Sequence, residues 1–248
     1  MKTFIKKLIA GSGFEIRRIN PFPIGSTYLP MTMKDLFEGV KFRGMACETF
    51  LDGGANTTTV SQLIKSIYPA AKCVLIEPMT ELEPYLKKFC GEFKDSKYFL
   101  AGLAAKKDTL TFTVSDAPGA STFMYDSDES KKQRKVQVIT IDDLIEAGEM
   151  QVPQIIKLDI QGFELEALKA ATKTFGKTEL YILEAAMFKF EDSPNIPDFN
   201  DTIDFMRERN YVPYEFPGFL RRPYDGAVGS TDIAFVQKNG MLRKSAKW

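Results

Sequence analysis

Thr49-Phe50-Leu51-Asp52-Gly53-Gly54-Ala55-Asn56-Thr57-Thr58-Thr59-Val60 is the stretch that decides the fold. A short apolar run ends in an aspartate, two glycines and an asparagine follow, and a helical pattern then begins. Gly53 and Gly54 can adopt positive φ and allow a ligand close to the backbone, and Asn56 also tolerates the left-handed region. The helix is predicted from apolar residues at helical spacing, namely Val60, Leu63, Ile64, Ile67 and Tyr68. Strand, tight turn and helix in this order are typical of an open α/β sheet that binds a ligand at the carboxyl end of a strand.

An acidic residue ends the next predicted strand. The apolar run of residues 73–76 is typical of a buried parallel strand, and Glu77 and Pro78 follow it. In a nucleotide-binding βαβ unit, an acidic residue about 20 positions after the glycine turn binds the ribose hydroxyls. Because a carboxylate only accepts hydrogen bonds and a diol can donate two, we predict that Glu77 binds ribose.

The residues of the turn favour one class of nucleotide. A dinucleotide fingerprint needs glycines where this chain has Asp52 and Thr57, and an aspartate beside a pyrophosphate would be repelled. Asp52 instead suits a ligand with a positive charge near the turn, and S-adenosylmethionine carries such charges on its ammonium and sulfonium groups. The alternative is an ordinary strand-to-helix turn with a capping carboxylate.

Composition excludes several kinds of site and partner. The 248 residues include 33 basic and 33 acidic side chains, so no global field attracts nucleic acid. Histidine is absent, which excludes Ser-His-Asp and Cys-His catalysis and histidine metal ligands, and no metal site is predicted. Cys47, Cys73 and Cys90 are far apart and predict free thiols in a reducing compartment, hence a cytoplasmic protein. No apolar run approaches the roughly 20 residues of a membrane span, so no membrane insertion is expected.

A second group of polar residues surrounds the predicted strand at 155–158. Lys157 and Asp159 point to the same side of this strand, and Asp159 falls at its end. Four carboxylates are predicted to end apolar strands at one edge of the sheet: Asp52, Glu77, Asp159 and Glu184. We expect Asp159 to orient or deprotonate an acceptor, assisted by Lys157 or Glu184. The alternative for Lys157, a buried ion pair with one of these carboxylates, is favoured because a buried lysine needs a partner.

The chain divides into an N-terminal helical or irregular extension (1–45), one α/β domain (46–240) and a basic tail (241–248). Residues 1–18 predict a short basic helix that packs on the domain or, less favoured, contacts a membrane surface. A secretion signal is rejected because its apolar part is short and interrupted by glycines. Further helices are predicted at 33–40, 81–89, 141–147 and 199–209, and further strands at 98–104, 109–114, 136–140, 180–184, 211–216 and 231–237.

Two loops have open interpretations. Residues 117–130, which include Ser121, are rich in small and acidic residues and form either a cover over a substrate or a solvated linker. Arg221 and Arg222 lie in a predicted loop, where they either clamp an anionic substrate or belong to a solvated charged segment. The solvated segment is the favoured interpretation.

Taken together, these motifs resemble the FkbM-type family of S-adenosylmethionine-dependent methyltransferases, from about residue 50 to residue 236. The resemblance is carried by Leu-Asp-Gly-Gly-Ala-Asn at 51–56, Tyr-Pro-Ala-Ala at 68–71 leading to Ile-Glu-Pro at 76–78, Val-Ile-Thr-Ile-Asp-Asp-Leu at 138–144, Ile-Lys-Leu-Asp-Ile-Gln-Gly-Phe-Glu at 156–164 and Thr-Asp-Ile-Ala-Phe-Val at 231–236. Each motif alone is weak, but their order and spacing are specific.

The resemblance implies the class I methyltransferase fold, a Rossmann-like α/β architecture. Its seven-stranded, mostly parallel sheet has helices on both faces and an antiparallel last strand. The resemblance also implies methyl transfer from S-adenosylmethionine to a hydroxyl of a sugar or another small metabolite. It implies the following cofactor-binding residues: Asp52, Gly53, Gly54, Ala55 and Asn56 around the methionine part, Glu77 and Pro78 at the ribose, Met79 and Leu103 at the adenine, and Thr58 and Asp159 nearby. Thr58 replaces a glycine that the family usually has, and we expect it to narrow the approach or weaken cofactor affinity.

Three alternatives to this function stay open. The first is methylation of RNA ribose, which the balanced charge disfavours. The second is a protein that binds S-adenosylmethionine without turnover, and the third is a nicotinamide oxidoreductase, which Asp52 opposes. The partner is expected to be a small-molecule or glycan acceptor, and the exposed late strands make a homodimer conceivable.

Overall fold

In the computed structural model, the described residues are 31–115, 121–123, 132–191 and 194–245, and most of them belong to one sheet and the helices against it. The helices are α1 (Met33–Phe42), α2 (Thr59–Ile67), α3 (Glu83–Glu92), α4 (Ile141–Glu146), α5 (Glu164–Lys169) and α6 (Phe199–Glu208). The strands are β1 (Thr49–Gly53), β2 (Lys72–Ile76), β3 (Lys97–Phe99), β4 (Gly102–Leu103), β5 (Asp108–Val114), β6 (Lys132–Ile139), β7 (Ile155–Leu158), β8 (Leu180–Ala186), β9 (Tyr211–Arg221) and β10 (Val228–Gln237).

Seven strands form the main sheet in the order β3-β2-β1-β7-β8-β10-β9. The first five strands of this order pair in parallel, and β10 runs antiparallel to both β8 and β9. This arrangement confirms the predicted seven-stranded, mostly parallel sheet with an antiparallel last strand. The carboxyl ends of β1, β2 and β7 therefore meet at one edge, where ligands bind in open α/β sheets.

Alternate residues of the strands pack against helices on opposite faces of the sheet. Phe50 and Ile155 face the core cluster that contains residues of α1, α2 and α3, whereas Leu51 and Ile156 face the cluster that contains residues of α4, α5 and α6. Side chains alternate along a strand, so each strand of the parallel core is apolar on both sides. The helices on both faces confirm the predicted layer arrangement.

A second, three-stranded sheet was not predicted as a separate unit. The segment predicted as one strand with its exit, 98–104, is divided between β3 in the main sheet and β4 in the second sheet. In that sheet β4 pairs in parallel with β6, and β5 pairs antiparallel with β6. The break between β3 and β4 moves the chain from one sheet to the other and places Leu103 over the glycine turn, where one of its methyl carbons would lie 3.0 Å from a Cβ added to Gly53.

Other boundaries differ from the sequence prediction. Glu184 was expected to end its strand, but β8 continues to Ala186 because Ala185 and Ala186 still pair with β10. The last two strands are longer than predicted because they form a hairpin that projects past the sheet, with Leu220 and Tyr224 exposed. The predicted helix at 1–18 lies outside the described residues, as does most of the 117–130 loop. No helix within the described residues is both long and apolar enough to cross a membrane.

Candidate functional site

Two cavities open at the carboxyl edge of the main sheet and share a wall. The first, which we call the turn cavity, has a volume of about 320 Å³ and lies against the turn after β1 and the end of β2. Its lining residues are Gly54, Asn56, Ile76, Glu77, Pro78, Met79, Leu82, Ala101, Gly102, Leu103, Phe112, Ser121, Phe123, Asp159, Ile160, Gln161, Glu184 and Leu220.

The glycine turn is held rigidly against the neighbouring strands. The backbone N–H groups of Gly54 and Ala55 both donate to the carbonyl of Ile76, at 2.9 and 3.1 Å. Gly54 has φ +76, and a Cβ added there would lie 1.9 Å from the carbonyl oxygen of Asp159. Only glycine satisfies both the conformation and the contact. The glycine therefore allows the chain leaving β7 to pass directly against the turn.

Glu77 has the geometry expected of a ligand for a diol. Its Oε2 accepts a hydrogen bond from the Asn56 N–H at 2.9 Å, and its Oε1 accepts one from the Met79 N–H at 3.0 Å. Burial raises the pKa of this carboxyl above its ordinary value, while the two backbone donors lower it. A carboxylate offers about four acceptor positions, so two remain for further hydroxyl donors.

Apolar side chains form the part of the turn cavity that lies beyond Glu77. Met79 and Leu103 were predicted here, and the second sheet adds Phe112 and Phe123, whose ring centroids lie 4.7 Å apart. Apolar side chains beside a carboxylate with acceptor positions left suit a ligand that joins an apolar ring to hydroxyl groups.

A chain of hydrogen bonds crosses the wall between the two cavities. Lys157 Nζ donates to Asp159 Oδ2 at 3.2 Å, and Gln161 Nε2 donates both to Asp159 Oδ1 at 3.0 Å and to Glu184 Oε2 at 2.9 Å. Ser230 Oγ donates to the other oxygen of Glu184 at 2.8 Å. Lys157 is buried and paired, which confirms the ion pair that the sequence favoured for it.

The two carboxyl groups of this chain have opposite pKa shifts. Burial alone would raise the pKa of Asp159, but the Lys157 charge and hydrogen bonds from Glu184, Lys157 and Gln161 bring it below its ordinary value. Burial and the neighbouring charges of Asp159 and Glu164 raise the pKa of Glu184 to about 8. At neutral pH the pair therefore holds an ionised Asp159 beside a protonated Glu184.

The second cavity, which we call the outer cavity, has a volume of about 650 Å³. Its lining residues are Thr122, Gln161, Gly162, Glu164, Glu184, Ala186, Phe190, Ile196, Pro197, Leu220, Arg221, Arg222, Pro223, Gly229 and Ser230. Gln161, Glu184 and Leu220 also line the turn cavity and form the shared wall. Further polar groups, apolar residues and two arginines form the rest. Acceptor and donor groups beside apolar walls suit a small polar molecule with several hydroxyls.

The arginines are only partly available to a ligand. Arg222 forms a bidentate pair with Asp225 at 2.7 and 2.6 Å, and its guanidinium lies 4.3 Å from the ring centroid of Phe188. Arg221 donates one hydrogen bond, at 2.9 Å, to the carbonyl of Gly226. Since a guanidinium has five N–H donors, Arg221 retains donors that can face an anionic group in the outer cavity.

Several predicted residues do not line the turn cavity. Asp52 is buried behind the turn, where Ser61 Oγ donates to its Oδ2 at 2.6 Å and Lys157 Nζ lies 3.9 Å from its Oδ1. That Oδ1 atom has no hydrogen-bond partner among the described residues. The others are Gly53, Ala55, Thr58 and Lys157, whose roles in cofactor binding or catalysis stay predictions.

Thr58 differs from its expected position. It directly precedes α2 with φ +67, its side chain makes no helix-capping hydrogen bond, and Gln62 Nε2 donates to its Oγ1 at 3.0 Å. The side chain faces a cleft between α2 and α3 instead of the turn cavity. The side chain therefore lies outside the turn cavity, and the expectation that Thr58 narrows the approach or weakens cofactor affinity stays a prediction.

The sequence did not identify several residues of the two cavities. Phe112 and Phe123 come from the second sheet and its adjoining segment, and no local pattern indicated that they face the turn. Gln161 was recognised only as part of a turn, although its φ of +57 brings its side chain back to the strand ends. The available signal in the sequence was the position of the Gln161 carboxamide between two carboxylates, Asp159 and Glu164.

Comparisons with known proteins agree with this geometry. The family model described as the methyltransferase FkbM domain matches residues 52–213. The hexuronic acid methyltransferase AglP of Haloferax volcanii is 29% identical over 83 residues, which is 34% of this chain and 34% of that protein. A crystal structure of methyltransferase FkbM from Methylobacillus flagellatus KT aligns with a TM-score of 0.51 and 17% identity, over 88% of this chain and 48% of that chain. The matched regions thus span about a third and about half of these two relatives, and the second likeness supports the fold.

Proposed function

Because the chain belongs to the FkbM family of methyltransferases, we propose that it transfers a methyl group from S-adenosylmethionine to a hydroxyl of a sugar or a related small metabolite. The observation that carries this proposal is the junction of the two cavities at Gln161 and Glu184, with Asp159 on the side of the turn cavity. A donor in the turn cavity and an acceptor in the outer cavity would meet at this junction.

The turn cavity has the groups that S-adenosylmethionine requires. Glu77 has two acceptor positions left for the ribose hydroxyls, and Met79, Leu103, Phe112 and Phe123 form the apolar slot for the adenine. The bound cofactor supplies an electrophilic methyl group on a positively charged sulfur. The ionised Asp159, which lines this cavity, favours a cationic ligand at this place.

Asp159 is the residue that we assign as the acceptor of the hydroxyl proton. It is ionised at neutral pH, it lines the turn cavity, and its hydrogen bonds to Lys157 and Gln161 fix its orientation. As the acceptor oxygen gains the methyl group and its O–H bond breaks, the proton passes to Asp159. The positive charge lost from the donor then balances the negative charge lost from the carboxylate.

The outer cavity supports a hydroxylated acceptor. Glu184, Glu164, Ser230 and Thr122 offer acceptors and donors to hydroxyl groups, and Phe190 and Ile196 provide apolar contact. The relative from Haloferax volcanii acts on a hexuronic acid, and the free donors of Arg221 suit the carboxylate of such a sugar. Uronic acids and their glycosides are therefore the first acceptors to test.

The test is transfer of a deuterated methyl group to a panel of sugars and uronic acids, followed by mass spectrometry. Asp159→Asn should lower kcat by about 10² to 10⁴ while cofactor affinity changes little. Asp204→Asn, the same substitution at an exposed position of α6, is the matched control. Full turnover by a folded Asp159→Asn protein would refute the role of Asp159. Cofactor binding with no methylated product for any acceptor would favour a binding protein without turnover.

A further inference from the structure

Gln161 connects Asp159, which lines the turn cavity, to Glu184, which lines both cavities. We propose that Gln161 is a positioning residue that holds Asp159 and Glu184 together as a pair sharing one proton. This inference rests on the proposed function, because it concerns the same site, and it assigns a role to a residue outside the set predicted from the sequence.

The carboxamide of Gln161 uses both of its N–H bonds on the pair. Nε2 lies 3.0 Å from Asp159 Oδ1 and 2.9 Å from Glu184 Oε2. The remaining oxygens are engaged as well, since Lys157 donates to Asp159 and Ser230 donates to Glu184. Each carboxyl group is therefore held at both oxygens, and Gln161 is the one group that contacts both carboxyls through side-chain hydrogen bonds in the described residues.

The backbone around Gln161 fixes the direction of its side chain. Gln161 and Gly162 have φ values of +57 and +93, which reverse the chain directly after β7. The Ile160 N–H donates to Glu164 Oε1 at 2.8 Å, and Thr122 Oγ1 donates to the carbonyl of Gln161 at 2.8 Å. A Cβ added to Gly162 would lie 2.8 Å from Ile196, so this turn has little space to move. A left-handed conformation at a non-glycine residue persists only where its surroundings hold it.

The charges facing the pair explain why it retains a proton. Glu184 interacts with the charges of Asp159 and Glu164, and Asp159 with the charge of Lys157. Three further carboxyl groups interact with the charge of Asp159: Asp52 on β1, Glu77 at the end of β2 and Asp232 on β10. Two adjacent carboxyl groups among so many acidic neighbours cannot both ionise at neutral pH, and Lys157 decides that Asp159 is the ionised member.

Holding the pair in this state has a consequence for the reaction. An ionised Asp159 is available for the proton of the acceptor hydroxyl, and a protonated Glu184 adds no second negative charge beside it. Above the pH at which Glu184 ionises, the shared proton is lost and a second negative charge is added. Activity should therefore be confined to the range in which the pair holds one proton.

The experiment combines a titration with kinetics. Carboxyl carbon NMR of the full chain, without acceptor, follows Asp159 and Glu184 between pH 4 and 10, with the signals assigned through Asp159→Asn and Glu184→Gln. Gln161→Glu replaces the bridging donor by an acceptor of the same shape. Gln161→Asn keeps a carboxamide that tolerates the left-handed region but is shorter. Gln151→Glu, at an exposed position before β7, is the matched control.

For the unmodified chain we expect Glu184 to titrate near pH 8 and the Asp159 signal to move in the same step. Gln161→Glu should raise this midpoint by about one pH unit or more, through the added like charge. It should also lower kcat about 10- to 100-fold with a smaller change in KM, because the pair is displaced. Gln161→Asn should shift the titration less than Gln161→Glu does.

Two results would overturn the inference. One is independent titration of both carboxyls at ordinary values. The other is a Gln161→Glu protein that melts at a lower temperature while its titration and pH profile stay unchanged, which indicates a structural role alone. If the titration responds to Gln161 but no acceptor is methylated, the positioning role stands and the proposed function fails.

Discussion

The carboxylate of Glu77 provides the sharpest test of the proposed cofactor site. Its two oxygens accept from the Asn56 and Met79 N–H groups, and the side chain is only 5% exposed. Glu77→Gln keeps the shape of the side chain but leaves one oxygen. One backbone N–H then faces an amide N–H₂, and the ribose loses a charged acceptor.

The expected magnitude follows from these contacts. A hydrogen bond to a charged group contributes about 1.5–3 kcal/mol, so losing the charged acceptor should weaken S-adenosylmethionine binding by about 10- to 150-fold. The unpaired backbone N–H should also lower the free energy of unfolding of the ligand-free protein by about 1–3 kcal/mol. The two effects are separable because the second is present without ligand.

The assay is calorimetric titration with S-adenosylmethionine and with S-adenosylhomocysteine, together with thermal melting of the ligand-free proteins. Glu48→Gln is the matched control, since Glu48 is exposed and precedes β1 at the opposite end of that strand. If Glu77→Gln binds both ligands within about twofold of the unmodified protein and is folded, Glu77 does not bind the ribose. Equal losses for Glu77→Gln and Glu48→Gln would also refute the reasoning, because they would indicate an unspecific effect of the exchange.

Three further predictions concern the turn, the buried acid and Thr58. Gly54→Ala should lower the free energy of unfolding by about 2–5 kcal/mol, because its Cβ would meet the Asp159 carbonyl at 1.9 Å and its φ is +76; Gly91→Ala, in open space within α3, should instead raise it by about 0.5–1 kcal/mol in urea denaturation. Burial raises the pKa of Glu164 from 4.5 to about 7, so the folded state retains a proton that the unfolded state loses, and stability falls as the pH rises through this range. Glu164→Gln should reduce the pH dependence of the free energy of unfolding by up to about 3 kcal/mol. Urea denaturation at several pH values tests this, and the same change of midpoint with pH in both proteins would contradict the prediction. Thr58→Gly should relieve the strain of φ +67 and raise the free energy of unfolding by up to about 1 kcal/mol. Cofactor affinity should stay unchanged, since the Thr58 side chain lies outside the turn cavity. A large gain in cofactor affinity would show that Thr58 does restrict the site.

The sequence predicted the parts of the fold that depend on local patterns. Apolar runs such as residues 73–76 and 155–158 became inner strands because both of their faces are covered by helices. The helical spacing after Thr58 predicted α2, and Pro69 follows its end. These signals are short in range and do not depend on what lies beside them.

The cavity walls could not be predicted in the same way. Phe112 and Phe123 contact each other and line the turn cavity because β5 pairs with β6, and a separate bridge joins Thr113 to Thr122. Neither pairing leaves a mark in the local sequence that distinguishes this sheet from an extension of the main one. Thr58 shows the same limit at a smaller scale, since its residue type indicated a bulky side chain but not the side of the turn on which it lies.

The two glycines show how the fold and the site depend on the same contact. From the sequence, Gly54 was interpreted as giving a ligand access to the backbone. In the structure, the group nearest to a Cβ added to Gly54 is the carbonyl of Asp159, which directly follows a different strand, β7. The Asp159 N–H also donates to the carbonyl of Gly53 at 3.0 Å. Two motifs that are more than 100 residues apart thus become one site, since only a glycine at 54 lets the carboxylate at the end of β7 lie beside the cavity formed by β1 and β2.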